Sequence, residues 1–402
     1  MEGSINTGRK LTLHYSFIQV FCIMGYSCLF AFAAVFLLSR GLTNSQVGVT
    51  LTVASALSLI SQPMVATFAD QSKKLSLREI TAIFFAMEAA VSLLLLLTPA
   101  GKGLSAILFI LLIVIFSPKV SLVTALSMDH INNGTPVNFS LARGIGSLAY
   151  AALSFPMGFL VEAFSPQVVM IINASICIIG SLLVIVFPRP RKQSTTASIG
   201  EAGASGLIEF ARKNKRFMAI IASLSVLFIS HIFINSYTIQ IIEHVGGDNS
   251  DLGIAAGIAG FVELPAMALF PWIFKKIPKA GLLIKISAGF FLLKAVVTLA
   301  APNVLWIDIA QAMQFFTYAI FLPASVFYAN EVIRDSDKVK GQALMGMSMG
   351  ISGVIGNLLG GFMLDTSGGV LLMLAVGVAV STVGLVMLLF IDSYKPQRTT
   401  VR

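Results

Sequence analysis

The chain has 402 residues, 56% of them hydrophobic and only 11% charged, with a mean hydropathy of +0.90. That composition excludes an ordinary soluble domain. The formal net charge of +9 raises nucleic acid as a partner, but where the charges fall argues against it.

From the first residues onward, the sequence reads as membrane spans. The start, residues 1–11, is short and polar and carries Arg9 and Lys10. It shows no A-x-A-like cleavage site, so the first span is expected to be retained. Stretches of about 20 apolar residues, enough to cross a bilayer, then recur to the far end. They predict spans at 13–39, 45–69, 77–98, 104–129, 138–162 and 166–187. After a long polar connection come 217–244, 251–274, 281–300, 304–331, 340–364 and 368–391. A β-barrel would instead show strands of about 10 alternating residues. The expected fold is therefore an all-α polytopic membrane protein with twelve transmembrane helices.

The long connection divides the chain into an N-terminal six-helix bundle (12–187), a cytosolic loop (188–216) and a C-terminal six-helix bundle (217–392). The loop opens on Arg189, Arg191 and Lys192 and closes on Arg212, Lys213, Lys215 and Arg216. With both termini cytosolic, almost every loop Lys and Arg falls inside, and only Arg40 and Lys102 fall outside. That asymmetry is the positive-inside signal. It explains the basic balance by topology and removes the need for a polyanionic partner. The three cysteines, Cys22, Cys28 and Cys177, lie in apolar stretches with no metal or disulfide spacing.

Charges inside these spans are the functional signal. A charge at bilayer depth costs about 2.5 kcal/mol or more and marks a pathway or site by default. Glu88 lies near the middle of the third span and Lys119 well inside the fourth. Either they form a structural pair, or Lys119 lines a cavity and Glu88 handles protons. Arg143, near the inner end of the fifth span, is either a snorkelling anchor or a substrate ligand. Gly144, Gly146 and Ser147 clear space beside it, and Tyr150 shares its helix face. A guanidinium fork and an aromatic plane suit a hydroxyl-rich ring. Glu263 and Lys294 lie at similar depth near mid-membrane. Their pairing could lock two helices, or a carboxyl there could take and release a proton.

Weaker candidates are polar residues in apolar helices. His231 and Asn235, with Tyr237 and Gln240, make a strip on the seventh span. Gln311, Gln314 and Tyr318 lie on the tenth and Tyr26 on the first. A lone His in this setting serves either a helix contact or a cavity. Pro118, Pro156, Pro265 and Pro323 read as kinks or as hinges. There is no P-loop, no H-E-x-x-H and no G-x-S-x-G, so an enzyme is not expected, nor is any cofactor.

At these residues the sequence resembles the major facilitator superfamily, and within it the oligosaccharide:proton symporters typified by lactose permease. Ile23-Met24-Gly25 in the first span is similar to that family. Asp70 with Lys73 and Lys74 resembles the superfamily's loop 2–3 motif, implying a gating role. Segment 139–150 resembles the fifth-helix motif, which implies that Arg143 contacts substrate and Tyr150 is the stacking aromatic. Glu263-Leu264-Pro265 resembles the eighth-helix glutamate motif, which implies a carboxylate contributing to substrate affinity. Lys294 stands where that family has an arginine. The departures are Phe139 for a tyrosine, Thr124 or Ala125 for a carboxylate, and Gln314 and Thr317 for a His and a Glu. Lactose itself is therefore not expected.

The sequence thus predicts a secondary active transporter driven by the proton gradient, monomeric and multi-pass in a bacterial inner or plasma membrane. Its partners are a small-molecule substrate and the lipid bilayer. The leading expectation is symport of a saccharide or nucleoside, with Arg143, Tyr150, Glu263, Tyr26, Lys119, His231, Asn235, Gln311 and Gln314 as substrate ligands. Glu263, Lys294 and Glu88 would handle protons. The alternatives are a small organic anion carrier and an amphiphile or drug exporter.

Overall fold

The structure is a computed structural model, and it describes residues 2–72, 74–98, 101–135, 137–189, 204–333 and 338–391. Among the described residues all regular elements are helices. Helix is the expected solution in lipid, because it satisfies every backbone polar group within one segment. Among the described residues, twelve helices are long and apolar enough to cross a membrane. In the first unit they are Gly8–Ala31, Asn44–Gln71, Leu77–Leu97, Lys102–Asn132, Leu141–Ala163 and Val168–Ile185. The rest are Lys215–Ser236, Asn249–Lys276, Ala280–Leu299, Val304–Val332, Leu344–Leu364 and Gly369–Phe390. Each falls on a span expected from hydropathy.

Local signals set several ends. Thr43 caps the second span by a reciprocal box: its Oγ1 accepts from Gln46 N at 3.3 Å, and Gln46 Oε1 accepts from Thr43 N at 3.0 Å. Ser76 and Glu79 build the same device at the third span. The chain leaves the first span through Gly41, whose φ of +82° belongs to the left-handed region that favours glycine. Nearby, the buried Arg40 donates to the carbonyls of Leu95 and Thr98. A cation is thereby placed on the orphan acceptors that end the third span.

The described residues cluster into two compact units. The first holds the first six spans together with residues 248–260 of the eighth. The second holds the remainder of the eighth span and the other late spans. In the first unit, the first span packs on the fifth and sixth, and the third on the sixth and fourth. In the second unit, the seventh packs on the eleventh and twelfth, and the ninth on the twelfth and tenth. The neighbour pattern therefore repeats with an offset of six spans, as expected of parallel repeats. Each unit has its own core. Tyr15, Phe85 and Phe187 are central to one, and Phe217, Phe228 and Phe291 to the other.

Helix interruptions do not fall at the prolines. The helices run through Pro63, Pro118, Pro156, Pro265, Pro271 and Pro323. The first span instead ends in a π-helical turn, Ser27–Ala31, and a break at Phe32 before Ala33–Ser39. The seventh breaks at Tyr237 before Thr238–His244. The tenth passes from Val304–Ala312 through a tight turn, Met313–Phe315, into Tyr318–Val332. Tertiary contacts absorb the cost at each break. Ser27 shares a 2.7 Å hydrogen bond with Ser154, the Tyr237 hydroxyl donates to Asn357 O, and the Ser287 hydroxyl donates to Thr317 O at 2.7 Å.

Close approach in the second unit depends on missing side chains. A Cβ on Gly360 would lie 2.5 Å from Tyr237 Cε2, and one on Gly356 would lie 2.8 Å from Ile232 Cγ2. We expect Gly360→Val to drive Tyr237 off its hydrogen bond and to cost about 1–3 kcal/mol. The check is a lowered thermal midpoint in detergent, with Gly289→Ala, where a Cβ meets open space, as the neutral control.

Candidate functional site

Each unit carries one polar constellation at depth. In the first, Lys119 and Glu88 are both fully buried, with Nζ 2.6 Å from Glu88 Oε2. Asn173 Nδ2 donates to Glu88 Oε1 at 3.3 Å and to Ser92 Oγ at 2.9 Å, and Ser92 Oγ donates to Glu88 O at 2.9 Å. The ammonium also lies over two rings, 4.4 Å from the Phe85 centroid and 4.6 Å from that of Phe116. Such a charge pair holds its place in lipid because it is paired and further hydrogen-bonded. Gly180 makes room for Phe85 beneath the ammonium, since a Cβ there would strike that ring at 2.5 Å, whereas a Cβ on Gly25 would meet the Glu88, Lys119 and Asn173 polar atoms at an ordinary 3.5 Å.

This arrangement is the structural pair that the sequence left as one of two readings. Lys119, expected among the substrate ligands, and Glu88, expected to handle protons, are enclosed and spoken for in this structure. The reason is compensation: a lone ammonium in the fourth span would be too costly, so the third and sixth spans supply its counter-charge and amide. Asn173 and Ser92 complete the network and were not singled out from sequence. An amide in the middle of an apolar span was the available signal for Asn173.

Above this pair in the chain of contacts stands an aromatic group. Phe116 meets Tyr26 and Phe30 at 6.0 and 5.7 Å, Tyr26 stacks on Phe30 at 4.4 Å, and Tyr26 meets Tyr150 at 6.0 Å. Tyr26 is 43% exposed and Tyr150 is half-buried. These two expected ligands do come together. A Cβ on Gly260 would lie 2.6 Å from Tyr150 Cδ1, so that glycine gives the ring its place. Arg143 is half-buried on the same helix as Tyr150. Phe139, one turn earlier, packs in the core against Tyr15 at 6.4 Å. Thr124, where a carboxylate was expected by resemblance, back-bonds to Val120 O at 3.0 Å.

The second unit arranges its charges differently. Lys294 is 1% exposed, and its Nζ donates to Gln311 Oε1 at 2.9 Å and to Gln314 Oε1 at 3.1 Å. Gln314 Nε2 in turn donates to Glu263 Oε1 at 3.1 Å. Thr317 Oγ1 donates to Gln314 Oε1 at 3.3 Å. The partnership expected between Lys294 and Glu263 is therefore relayed through an amide. One primary amide has both a donor and an acceptor end, so it satisfies an ammonium and a carboxylate together. Gln311, in Val304–Ala312, and Gln314, in the tight turn Met313–Phe315, are three residues apart, a spacing that puts both side chains on one face, toward Lys294.

His231 is buried beside this relay. Its Nε2 is 2.9 Å from Asn235 Nδ2, and its ring lies edge-on to Phe291 at 5.0 Å and parallel to Tyr318 at 6.3 Å. Its Nδ1 has no hydrogen bond among the described residues. Asn235, one turn on, is exposed. The loop 2–3 residues Asp70 and Lys74 are both exposed, and Lys73 lies outside the described residues. No group of His, Cys, Asp and Glu suited to a metal occurs among the described residues.

A family model described as MFS_1 like family matches residues 11–375. The fold is similar to that of a variant of the nucleoside transporter NupG, with a TM-score of 0.82 at 14% identity, over 96% of this chain and 100% of that one. It is also similar to an auto-inhibited peptide transporter of the POT family (0.71, 9%, 96% and 99%). A D-xylose-proton symporter gives 0.70 at 12% identity, over 96% and 99%. No curated protein sequence matches the chain.

The two constellations differ in a way that substitution tests. Breaking a buried pair from one side leaves a bare charge, at a cost of about 3–5 kcal/mol, whereas replacing both partners is far milder. Glu88→Gln and Lys119→Met should each lower the thermal midpoint strongly. The double variant should recover much of the loss, giving a large coupling term in a double-mutant cycle.

Proposed function

The chain belongs to the MFS_1 like family, and we propose that this membrane transporter carries out proton-coupled symport of a small polar solute, of sugar or nucleoside type. It works by alternating access in the inner or plasma membrane of a bacterium, as a monomer. The observation that carries the reading is the chain Glu263–Gln314–Lys294, in which a carboxylate at membrane depth is tied to an ammonium through one amide.

Protonation of Glu263 changes what Gln314 sees. The ionised carboxylate is an acceptor only and takes the Nε2 hydrogen, while Oε1 faces Lys294. The protonated carboxyl has an O–H of its own to give and attracts the amide less. Proton uptake thus loosens the Gln314 amide, and substrate hydroxyls can compete for its donor and acceptor ends. In the first unit, Arg143 offers a fork of donors and Tyr26 and Tyr150 offer ring faces. Two of the similar structures, a nucleoside transporter and a D-xylose-proton symporter, support such a substrate.

Pairing of Lys119 with Glu88 at 2.6 Å leaves Arg143 and Lys294 against Glu263, so a small organic anion stays the alternative substrate class.

Purified protein in proteoliposomes tests the proposal. Counterflow should occur with a nucleoside or a pentose and not with a simple carboxylate; exchange of carboxylates alone would overturn the substrate class. Glu263→Gln should lose uphill accumulation under an inward proton gradient while keeping counterflow. Accumulation by that variant with an unchanged pH dependence would overturn the role of Glu263.

A further inference from the structure

The surroundings of Lys294 resemble a cation site more than an ion pair. Two neutral amide oxygens, Gln311 Oε1 and Gln314 Oε1, converge on one point at 2.9 and 3.1 Å from Nζ. A carboxylate, Glu263, stands one amide beyond them. Oxygen ligands with a nearby negative charge are what a small hard cation requires. The three-residue spacing of Gln311 and Gln314, across the junction of Val304–Ala312 and Met313–Phe315, puts both oxygens on one face. Here the point is filled by an ammonium carried on the ninth span.

We propose that Lys294 is a tethered cation: its ammonium occupies a monovalent-cation site built from Gln311 Oε1 and Gln314 Oε1 and keeps free Na+ out of it. The inference rests on the proton-coupled reading above and names its ion specificity. A covalently held ammonium has a very high effective concentration at its site, so dissolved Na+ cannot displace it. A compact ammonium, unlike a planar guanidinium with five donors, matches a site of two oxygens. With the site permanently filled, the ion left to couple transport is the proton on Glu263.

Removing the ammonium while leaving the oxygens should therefore open a Na+ site. The readout is the thermal midpoint of full-length purified protein in NaCl against choline chloride at equal ionic strength. Wild type and Lys294→Arg, which keeps the charge, should show the same midpoint in both salts. Lys294→Ala should be stabilised selectively by Na+, by roughly 2–4 °C, rising with the logarithm of concentration. Lys294→Gln, which fills the stem space and adds a further amide oxygen, should behave alike and serves if the alanine variant does not fold. Adding Glu263→Gln to either should abolish the Na+ effect by removing the counter-charge. Two results overturn the inference: a Na+-selective shift in wild type, or none in a folded Lys294→Ala or Lys294→Gln protein. The measurement involves no transport, so these results leave the proton-coupled reading to the Glu263→Gln experiment.

Discussion

Placing charge in a medium without water is the constraint on which the rest of this structure depends. Each unit meets it with different chemistry. The first closes the problem: Glu88 and Lys119 touch at 2.6 Å, Asn173 and Ser92 take remaining hydrogen-bonding capacity, and two rings cover the ammonium. The second spreads it: the ammonium of Lys294 and the carboxylate of Glu263 are joined by the Gln314 amide. A closed pair is rigid and expensive to break. A relay through an amide responds to the charge at either end.

Backbone irregularity follows the same division of labour. The first span of each unit breaks late in its course, at Phe32 and at Tyr237. Interrupted helices at matching positions of two repeats are a recognised pointer to the working region of a transporter. The tenth span adds an interruption at Met313–Phe315, beside the two glutamines that bond to Lys294. The fourth span, its counterpart by repeat order, stays helical through Pro118, and there the charge is locked. Irregular backbone accompanies the responsive constellation, and regular helix the fixed one.

Much of the fold was legible beforehand because hydropathy is a property of each segment alone. Twenty apolar residues in lipid have one cheap conformation, so the spans follow from local sequence. The candidate residues were legible for a related reason. Polar side chains such as Glu88, Lys119, Glu263 and Lys294 are conspicuous against an apolar background. The prolines lie inside continuous helices, while the breaks lie where Ser154, Asn357 and Ser287 share hydrogen bonds.

By itself the sequence determined the all-helical class, the membrane medium and which charges lie at depth, since these depend only on composition along the chain. Tertiary structure alone decided which of those charges are matched and how. Pairing depends on which helix faces lie opposite one another, and no single span encodes that. That is why Lys119, read as a possible ligand, turned out to be enclosed with Glu88, and why Gln314, read as a minor polar residue, turned out to join the acid to the base.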